Sequence, residues 1–131
     1  MKYSFNKKII AITGAANGIG RAAAITLADE GATIIAIDKE KKSLDKLKLK
    51  LKNKCILKHI NCTNTEEIKN NLEDIKNIDG LVNCAGIVSQ GDLMNCTYDE
   101  WNKTLNINLN SVFFITQYFM KIFLKKKRGS I

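Results

Sequence analysis

The sequence predicts an α/β protein with a doubly wound parallel sheet. Short β-branched, apolar runs alternate with longer segments of helical periodicity. A glycine-rich stretch, TGAANGIG at residues 13–20, lies between the first apolar run and the first helical segment. The order of elements is β-α-β-α-β-α-β-α, followed by the start of a fifth strand. Such alternation is typical of parallel strands with helices on both faces, joined by right-handed crossovers.

The first half of the chain predicts three strands and two helices. The strands are expected at 7–13, 32–37 and 55–60, and the helices at 18–30 and 40–53. Gly31 stands where a glycine commonly ends a helix. The run LKLKLK at 47–52 also alternates like a strand, but its length and its good helix formers favour helix.

The second half predicts a helix at 65–76, a strand at 79–83 and a polar loop at 84–95. Asn64 precedes Glu67 by three residues in a cap-like arrangement. Thr97 and Glu100 resemble a capping box, which opens one long helix to about Lys126. Residues 129–131 are interpreted as the start of the fifth strand.

Composition bounds the possible classes of protein. The chain of 131 residues is 45% hydrophobic, which suits one globular domain. It contains no apolar run long enough to predict a membrane span. The segment MKYSFNKK carries positive charge but is not followed by the apolar stretch and cleavage site of a signal peptide. A cytoplasmic protein is therefore expected, with no membrane partner.

The cysteines and the histidine do not form a metal-binding pattern. Cys55, Cys62, Cys84 and Cys96 include no C-x-x-C pair, and His59 is the only histidine. No metal site is predicted, and the thiols are expected to be reduced and structural. His59 is expected to be a strand residue without a catalytic role.

The formal net charge of +8 raises the alternative of a nucleic-acid binder that uses residues 41–54 and 125–128. Arginine would be stronger evidence because its planar fork grips phosphates, but only Arg21 and Arg128 are arginines. Lysine, asparagine and isoleucine are abundant and proline is absent. This bias is typical of proteins whose genes prefer AT-rich codons. A solvated, lysine-rich surface with no nucleic-acid partner is the favoured interpretation.

The glycine-rich stretch is suited to holding phosphate. A helix N-terminus offers free N–H groups and partial positive charge. Gly14 permits a tight turn, Gly18 lets backbone approach a ligand, and Gly20 lets the helix pack closely on the sheet. The literal G-x-G-x-x-G fingerprint is absent, so the glycines alone are weak evidence for dinucleotide binding.

Asp38 strengthens this interpretation. It ends the second apolar run, 18 residues after Gly20. A carboxylate at this position can accept hydrogen bonds from both ribose hydroxyls of an adenosine, and it repels a 2′-phosphate. NAD is therefore expected rather than NADP, although Lys39 softens the repulsion.

Four ordered motifs together resemble the short-chain dehydrogenase/reductase family, in its simple single-domain branch. They are Thr13–Gly20, Asn83–Gly86 (NCAG), WNKTLNINLNSV at 101–112 and GSI at 129–131. The resemblance implies a Rossmann-type fold in which residues 1–131 form an NAD(P)-binding domain, incomplete after the start of strand five. Cys84 stands where the family commonly has asparagine.

The resemblance also implies cofactor-binding residues. Asn61 stands where the family usually has aspartate near the adenine amino group, and its amide oxygen can still accept that hydrogen bond. Ile19 would contribute through its backbone N–H. The implied set is Thr13, Gly14, Asn17, Gly18, Ile19, Gly20, Asp38, Asn61, Cys62, Asn83, Ala85 and Gly86.

For catalysis, the resemblance implies only Asn108, which corresponds to an asparagine that helps hold a water in a proton relay. Asn106 is the alternative register, and a solvent-facing polar role is the alternative for both. The family's serine and Tyr-x-x-x-Lys pair lie beyond the fifth strand. Tyr3, Tyr98 and Tyr118 are not equivalent to that tyrosine, since Lys121 follows Tyr118 by three residues rather than four.

The expected function is hydride transfer between a nicotinamide cofactor and an alcohol or ketone, with this chain a fragment that is inactive alone. A non-catalytic NAD-binding module is the alternative. The fourth strand is expected to be an exposed, association-prone edge. A homo-oligomer is also expected, because Phe113, Phe114, Phe119 and Phe123 offer apolar surface on the long helix. No charge pattern identifies the substrate.

Overall fold

The computed structural model describes residues 4–131, so Tyr3 lies outside the described residues. It confirms the α/β class and the predicted alternation. The strands are β1 (Ile9–Thr13), β2 (Thr33–Asp38), β3 (Cys55–His59) and β4 (Gly80–Asn83). The helices are α1 (Gly18–Asp29), α2 (Lys41–Leu51), α3 (Thr65–Leu72), α4 (Tyr98–Leu105) and α5 (Ser111–Lys126).

The four strands form one parallel sheet in the order β3-β2-β1-β4. The chain proceeds outward from β1 to β3 and then returns to the other side of β1 to form β4. This reversal creates a topological switch point between β1 and β4. In open α/β sheets, ligands bind outside the carboxyl ends of the strands at such a point.

Two apolar cores cover the two faces of the sheet, which makes the fold doubly wound. Alternate residues of β1 point to opposite faces, so Ile10 and Ile12 pack with α1 and α2 while Ala11 packs with α3 and α5. Central strands buried on both faces read as continuous apolar runs, which is why β1 is IIAIT. Leu44, Leu47 and Leu51 are buried on one face of α2, which confirms helix for this segment.

The predicted helix caps are present. Asn64 Oδ1 accepts hydrogen bonds from the Glu66 and Glu67 N–H groups at the start of α3. Thr97 and Glu100 form the predicted capping box at the start of α4. These caps satisfy N–H groups that have no partner within the helix. No helix within residues 4–131 combines the length and the apolarity required to cross a membrane.

The predicted long helix is interrupted. Residues Asn106–Asn110 form a π-helical segment between α4 and α5, and the Ser111 N–H donates to Asn106 O. The sequence prediction of one uninterrupted helix was therefore wrong in this segment. The apolar stripe continues across the interruption, and such a stripe carries no signal for a change in hydrogen-bond register.

The fifth strand is represented by a single parallel bridge between Gly80 and Ser130. The Leu81 N–H donates to Ser130 O over 2.9 Å, and the Ser130 N–H donates to Asp79 O over 3.2 Å. The bridge is a parallel one, as expected for strand five. The remainder of β4 lies at the edge of the sheet, beside an open groove that includes Val82, Asn83 and Ile131.

Asp79 ties the start of β4 to the end of α5. Its carboxylate accepts hydrogen bonds from the Ile9 N–H over 3.0 Å and from Lys126 Nζ over 2.8 Å. Burial acts to raise the pKa of Asp79, but these hydrogen bonds and the charges of Lys126 and Lys8 outweigh it, so the pKa lies below its ordinary value.

Candidate functional site

A cleft of about 720 Å³ lies at the carboxyl ends of the strands, across the switch point between β1 and β4. The segments after all four strands contribute to it, together with the region where α4 meets α5. Its lining residues are Gly14, Asn17, Gly18, Ile19, Gly20, Asp38, Lys39, Glu40, Ile60, Asn61, Cys62, Thr63, Cys84, Ala85, Gly86, Ile87, Lys103, Asn106, Ile107 and Ser111.

Each glycine of the turn is favoured at its position for a different geometric reason. Gly14 has φ +63°, and a Cβ there would lie 2.8 Å from backbone atoms of Cys84 and Ala85. A Cβ on Gly20 would lie 2.2 Å from Gly14 O, so α1 can approach the turn this closely only with glycine. Gly18 has φ +52°, and apart from its own helix backbone and adjoining residues no atom of residues 4–131 lies within 4 Å of an added Cβ. The space beside Gly18 therefore belongs to the cleft.

The N-terminus of α1 points its free backbone donors at this space. Asn17 is the N-cap residue, yet no side chain of residues 4–131 caps the helix there, and its first turn holds no acidic residue. Ile19, the second residue of α1, is 82% exposed and lines the cleft. An uncapped helix N-terminus of this kind favours an anionic group.

Asp38 stands at the end of β2 with both carboxylate oxygens held by backbone. Oδ2 accepts from the Ala16 N–H and Oδ1 from the Glu40 N–H, each over 3.0 Å. The first bond joins Asp38 to the glycine turn. Because a carboxylate has about four lone-pair positions, two remain for a ligand.

Asn61 and Cys62 follow β3 and form another wall of the cleft. Asn61 Oδ1 accepts from the Thr63 N–H over 3.1 Å and from Thr63 Oγ1 over 2.9 Å. Both lone pairs of that oxygen are thus engaged, and the free part of the amide is its NH₂ group. Burial raises the pKa of the Cys62 thiol to about 12, and the negative charges of Asp38 and Glu67 add to the shift. Cys62 is therefore a neutral wall residue.

Thr13 positions the segment after β4 without lining the cleft. Its side chain is buried, and its Oγ1 accepts from the N–H groups of Cys84 and Ala85, each over 3.1 Å. Ala85 and Gly86 are thereby held against the glycine turn. Ala85 and Gly86, both predicted site residues, line the cleft. Thr13 does not line it, but its hydrogen bonds hold their segment in place.

Asn83 is not brought to the cleft. Its Nδ2 donates to Thr116 Oγ1 of α5 over 3.2 Å, and it borders the groove at the sheet edge. Within residues 4–131, its buried Oδ1 has no hydrogen-bond donor. The direction of this side chain depends on strand register, which motif matching does not specify.

Asn108 and Asn106, the two candidate registers of the helix asparagine, are placed differently. Asn108 Oδ1 accepts from the Ile87 N–H over 2.8 Å, and its Nδ2 donates to Ile87 O over 2.9 Å. Asn106 lines the cleft itself. Asn108 thus fixes the Gly86–Ile87 wall, and the predicted proton-relay role stays a prediction.

Several lining residues were not among the predicted site residues. They are Lys39, Glu40, Ile60, Thr63, Cys84, Ile87, Lys103, Ile107 and Ser111, whereas Asn106 was named only as the alternative register of Asn108. Lys39 and Glu40 could have been found by extending the loop after β2, and Cys84 from its place within NCAG. Lys103 and Ser111 carry no local signal, because they reach the cleft only through the packing of α4 and α5.

The described tyrosines lie away from the cleft. Tyr98 is exposed at the start of α4, and Tyr118 of α5 packs partly buried against the second core, where burial and the charges of Glu73 and Asp74 raise its pKa. A general acid at neutral pH needs a pKa nearer 7, so this shift has the wrong direction.

The fold defines an α/β protein of the doubly wound class, with its cleft at the switch point of the sheet. Comparison with known proteins makes this specific. The sequence profile described as short chain dehydrogenase matches residues 8–131. Dehydrogenase/reductase SDR family member 6 of Xenopus laevis is 38% identical over 125 residues, covering 95% of this chain and 50% of the relative. The Thermotoga maritima 3-oxoacyl-[acyl-carrier-protein] reductase FabG is 38% identical over 131 residues, covering 95% of this chain and 53% of the relative.

Solved structures agree. A short chain dehydrogenase from Bacillus anthracis superimposes with a TM-score of 0.90 at 27% identity, covering 96% of this chain and 54% of that one. The chain therefore belongs to the short-chain dehydrogenase/reductase family of oxidoreductases, whose members use nicotinamide cofactors. It spans about half the length of the curated relatives it matches.

The cleft fits such a cofactor. The space beside Gly18, which a side chain would fill, adjoins an uncapped helix N-terminus suited to a pyrophosphate. Asp38 adds a carboxylate with free lone pairs on the same cleft. Residues 14–20 and Asp38 are therefore the part of the chain that would hold the cofactor.

Proposed function

We propose that this chain binds NAD in the cleft and forms the cofactor-binding part of an oxidoreductase that interconverts an alcohol and a ketone. The observation that supports it most is the convergence of the glycine turn and Asp38 on one cleft, joined by the hydrogen bond from the Ala16 N–H. When bound, the nicotinamide supplies the hydride acceptor or donor. The chain's own residues bind and orient it.

The charges around Asp38 favour NAD over NADP. Asp38, Lys39 and Glu40 are the charged residues of the loop after β2 that line the cleft, and together they carry one net negative charge. A 2′-phosphate placed beside Asp38 would be repelled and would displace hydrogen bonds from the ribose hydroxyls. Lys39 offsets only part of this repulsion.

The proposed function of the opposite wall is positional. Asn108 holds Ile87 through two hydrogen bonds, and Thr13 holds Cys84 and Ala85, so the loop after β4 has a defined backbone beside the cleft. This rigidity suits a site that must orient a ring for hydride transfer. We include in the proposal that the 131-residue chain does not turn over by itself, since neither described tyrosine reaches the cleft.

The Asp38→Asn substitution tests the proposal. It removes the charge and replaces an acceptor by an NH₂ donor, so the Kd for NAD should rise by roughly 10-fold, as expected for a charged hydrogen bond. The preference for NAD over NADP should shrink. Isothermal titration with both cofactors measures this, and alcohol-dependent NADH formation is monitored in parallel with none expected.

Asp45→Asn is the matched control, because Asp45 is an exposed residue of α2 that does not line the cleft. It makes the same change in net charge and should leave both Kd values unchanged. Equal effects of the two substitutions, or no binding of either cofactor by the unsubstituted chain, would contradict the proposal.

Contacts of the lysine-rich segments weigh against the nucleic-acid alternative. Lys48 Nζ donates to Cys55 O, and Lys54 Nζ donates to Ala28 O over 2.9 Å. Lys126 is engaged with Asp79 and Ile78 O. These three ammonium groups are already engaged by partners within the fold.

A further inference from the structure

His59 closes a chain of hydrogen bonds that ends at the candidate ribose-binding carboxylate. It stands at the end of β3, opposite Asp38 in the parallel register. Its Nε2 lies 2.8 Å from Lys39 O. Because a carbonyl oxygen only accepts, the ring must donate an N–H from Nε2.

The peptide group between Lys39 and Glu40 connects His59 to Asp38. Lys39 C=O and the Glu40 N–H belong to one planar peptide group. The carbonyl of this group accepts from His59, and its N–H donates to Asp38 Oδ1 over 3.0 Å. Asp38 Oδ2 in turn accepts from the Ala16 N–H over 3.0 Å. His59, the Lys39–Glu40 peptide and Asp38 thus form a relay from the end of β3 to the glycine turn.

We propose that His59 is a positioning residue for the adenosine ribose, acting through this relay. A peptide group held at both its oxygen and its hydrogen cannot rotate freely, and hydrogen bonds in a chain polarise and strengthen one another. The relay therefore fixes the two remaining lone-pair directions of Asp38 toward the cleft. This assignment rests on the proposed cofactor function for its purpose, but the relay itself exists in the free protein.

The relay also bears on the choice between NAD and NADP. Lys39 and Glu40, the two charged residues that flank this peptide group, both line the cleft. With the peptide fixed, Asp38 keeps both of its backbone donors and would face the 2′ position of a bound cofactor. With the peptide free to rotate, the carboxylate loses one backbone donor and can turn aside. Loss of the His59 donor should therefore weaken NAD binding more than NADP binding.

Amide hydrogen exchange in the free protein tests the relay without any ligand. His59→Met removes the donor, and exchange at the Glu40 N–H should become roughly 3- to 10-fold faster, as for loss of one ordinary hydrogen bond. His59→Gln should restore protection, because the Gln amide can donate from nearly the same place. The Thr63 N–H, bonded to Asn61 Oδ1, is the internal control and should not change. Ile56→Met places the same side chain at another exposed position of β3 and should change neither amide.

Cofactor titration tests what the relay does. In His59→Met the Kd for NAD should rise by roughly 3- to 10-fold and the preference for NAD over NADP should fall, whereas His59→Gln should stay within about 2-fold of the unsubstituted chain. Adding His59→Met to Asp38→Asn should have little further effect, since both act through one carboxylate.

The outcomes separate the two proposals. Unchanged Glu40 exchange and unchanged NAD affinity in His59→Met would overturn the relay while leaving the cofactor function intact. Additive effects of the His59 and Asp38 substitutions would overturn positioning through Asp38. An unsubstituted chain that binds neither NAD nor NADP would overturn the proposed function, and with it the role of the relay in ribose binding, even if Glu40 exchange responds to His59.

Discussion

Gly20 is the residue at which the fold and the cleft depend most directly on the absence of a side chain. An added Cβ would lie 2.2 Å from Gly14 O and 3.1 Å from Cys84 Cβ. The first of these neighbours is backbone, so either the turn or α1 must move. At Gly18 the added Cβ would meet open space, and the cost there comes only from φ +52°.

Gly20→Ala should therefore destabilise the fold more than Gly18→Ala. We expect a loss of about 3 kcal/mol in the free energy of unfolding for Gly20→Ala, from overpacking, and about 1 kcal/mol for Gly18→Ala, from backbone strain. Urea unfolding measures both. Gly18→Ala is the matched control within the same turn, and equal losses would show that the close approach at Gly20 is relieved without cost.

Residue types with local chemistry were the easiest to predict. Gly14, Gly18 and Gly20 could be assigned from the strand and helix on either side, and Asp38 from its place at the end of an apolar run. The sequence did not indicate that Asn61 Oδ1 is engaged by Thr63, or that Asn83 faces Thr116. Side-chain direction depends on neighbours that are distant in the sequence or on the fine geometry of a turn.

At the scale of elements, Asp79 and Lys126 fasten α5 to the sheet. The Asp79 and Lys126 side chains are 13% and 20% exposed, and Lys126 Nζ also donates to Ile78 O over 2.9 Å. Since the pKa of Asp79 is lower in the folded protein than its ordinary value of about 4, its contribution is complete at pH values above that value. It is lost as the pH falls through the lower, folded-state pKa.

Lys126→Met should cost about 2 kcal/mol in the free energy of unfolding at pH 7, because a largely buried carboxylate loses the lysine that donates a hydrogen bond to it. The cost should begin to shrink as the pH falls below about 4, and shrink further as the pH passes the lower, folded-state pKa of Asp79. Urea unfolding at pH 7 and pH 3 measures the difference. Lys125→Met, at an exposed position of the same helix, should cost little at either pH. A Lys126→Met penalty independent of pH would contradict the assigned ion pair.

In the segment after the polar loop, the sequence pattern predicted some features of the helix and missed another. The capping box at Thr97 and the apolar stripe predicted where the helix begins and which face packs. The π-helical segment at Asn106–Asn110 was not predicted, because the apolar stripe continues across it. In the folded chain its Asn108 contacts Ile87 of the loop after β4.

Taken as a whole molecule, the chain exposes an apolar stripe along α4 and α5. The side chains of Trp101, Leu109 and Phe113 are 55%, 61% and 58% exposed, and Leu105 lies between them at 36%. Phe119 and Phe123, expected from the sequence to be surface residues of an oligomer, are instead buried in the core. The proposed contact between copies of the chain therefore involves Trp101, Leu109 and Phe113.

Phe113→Glu should shift the chain toward the monomer, since it places a charge in the middle of this stripe. Sedimentation velocity over a range of concentrations measures the change. Asn102→Glu adds the same charge at an exposed position of α4 outside the stripe and should leave the distribution unchanged. If the unsubstituted chain is already monomeric at high concentration, the stripe does not mediate self-association.

Most strand and helix assignments, the doubly wound class and the glycine turn followed from local properties of the sequence, because β-branched runs, helix caps and glycines act over a few residues. The contacts of His59, Asn83 and Asn108 and the identity of the exposed stripe came only from the folded molecule. Each depends on which segments become neighbours: β3 beside β2, α5 against β4, and the helix asparagine against Ile87. These contacts are determined by the burial of the two apolar cores. Residues throughout the chain contribute to that burial, so no short stretch of sequence specifies it.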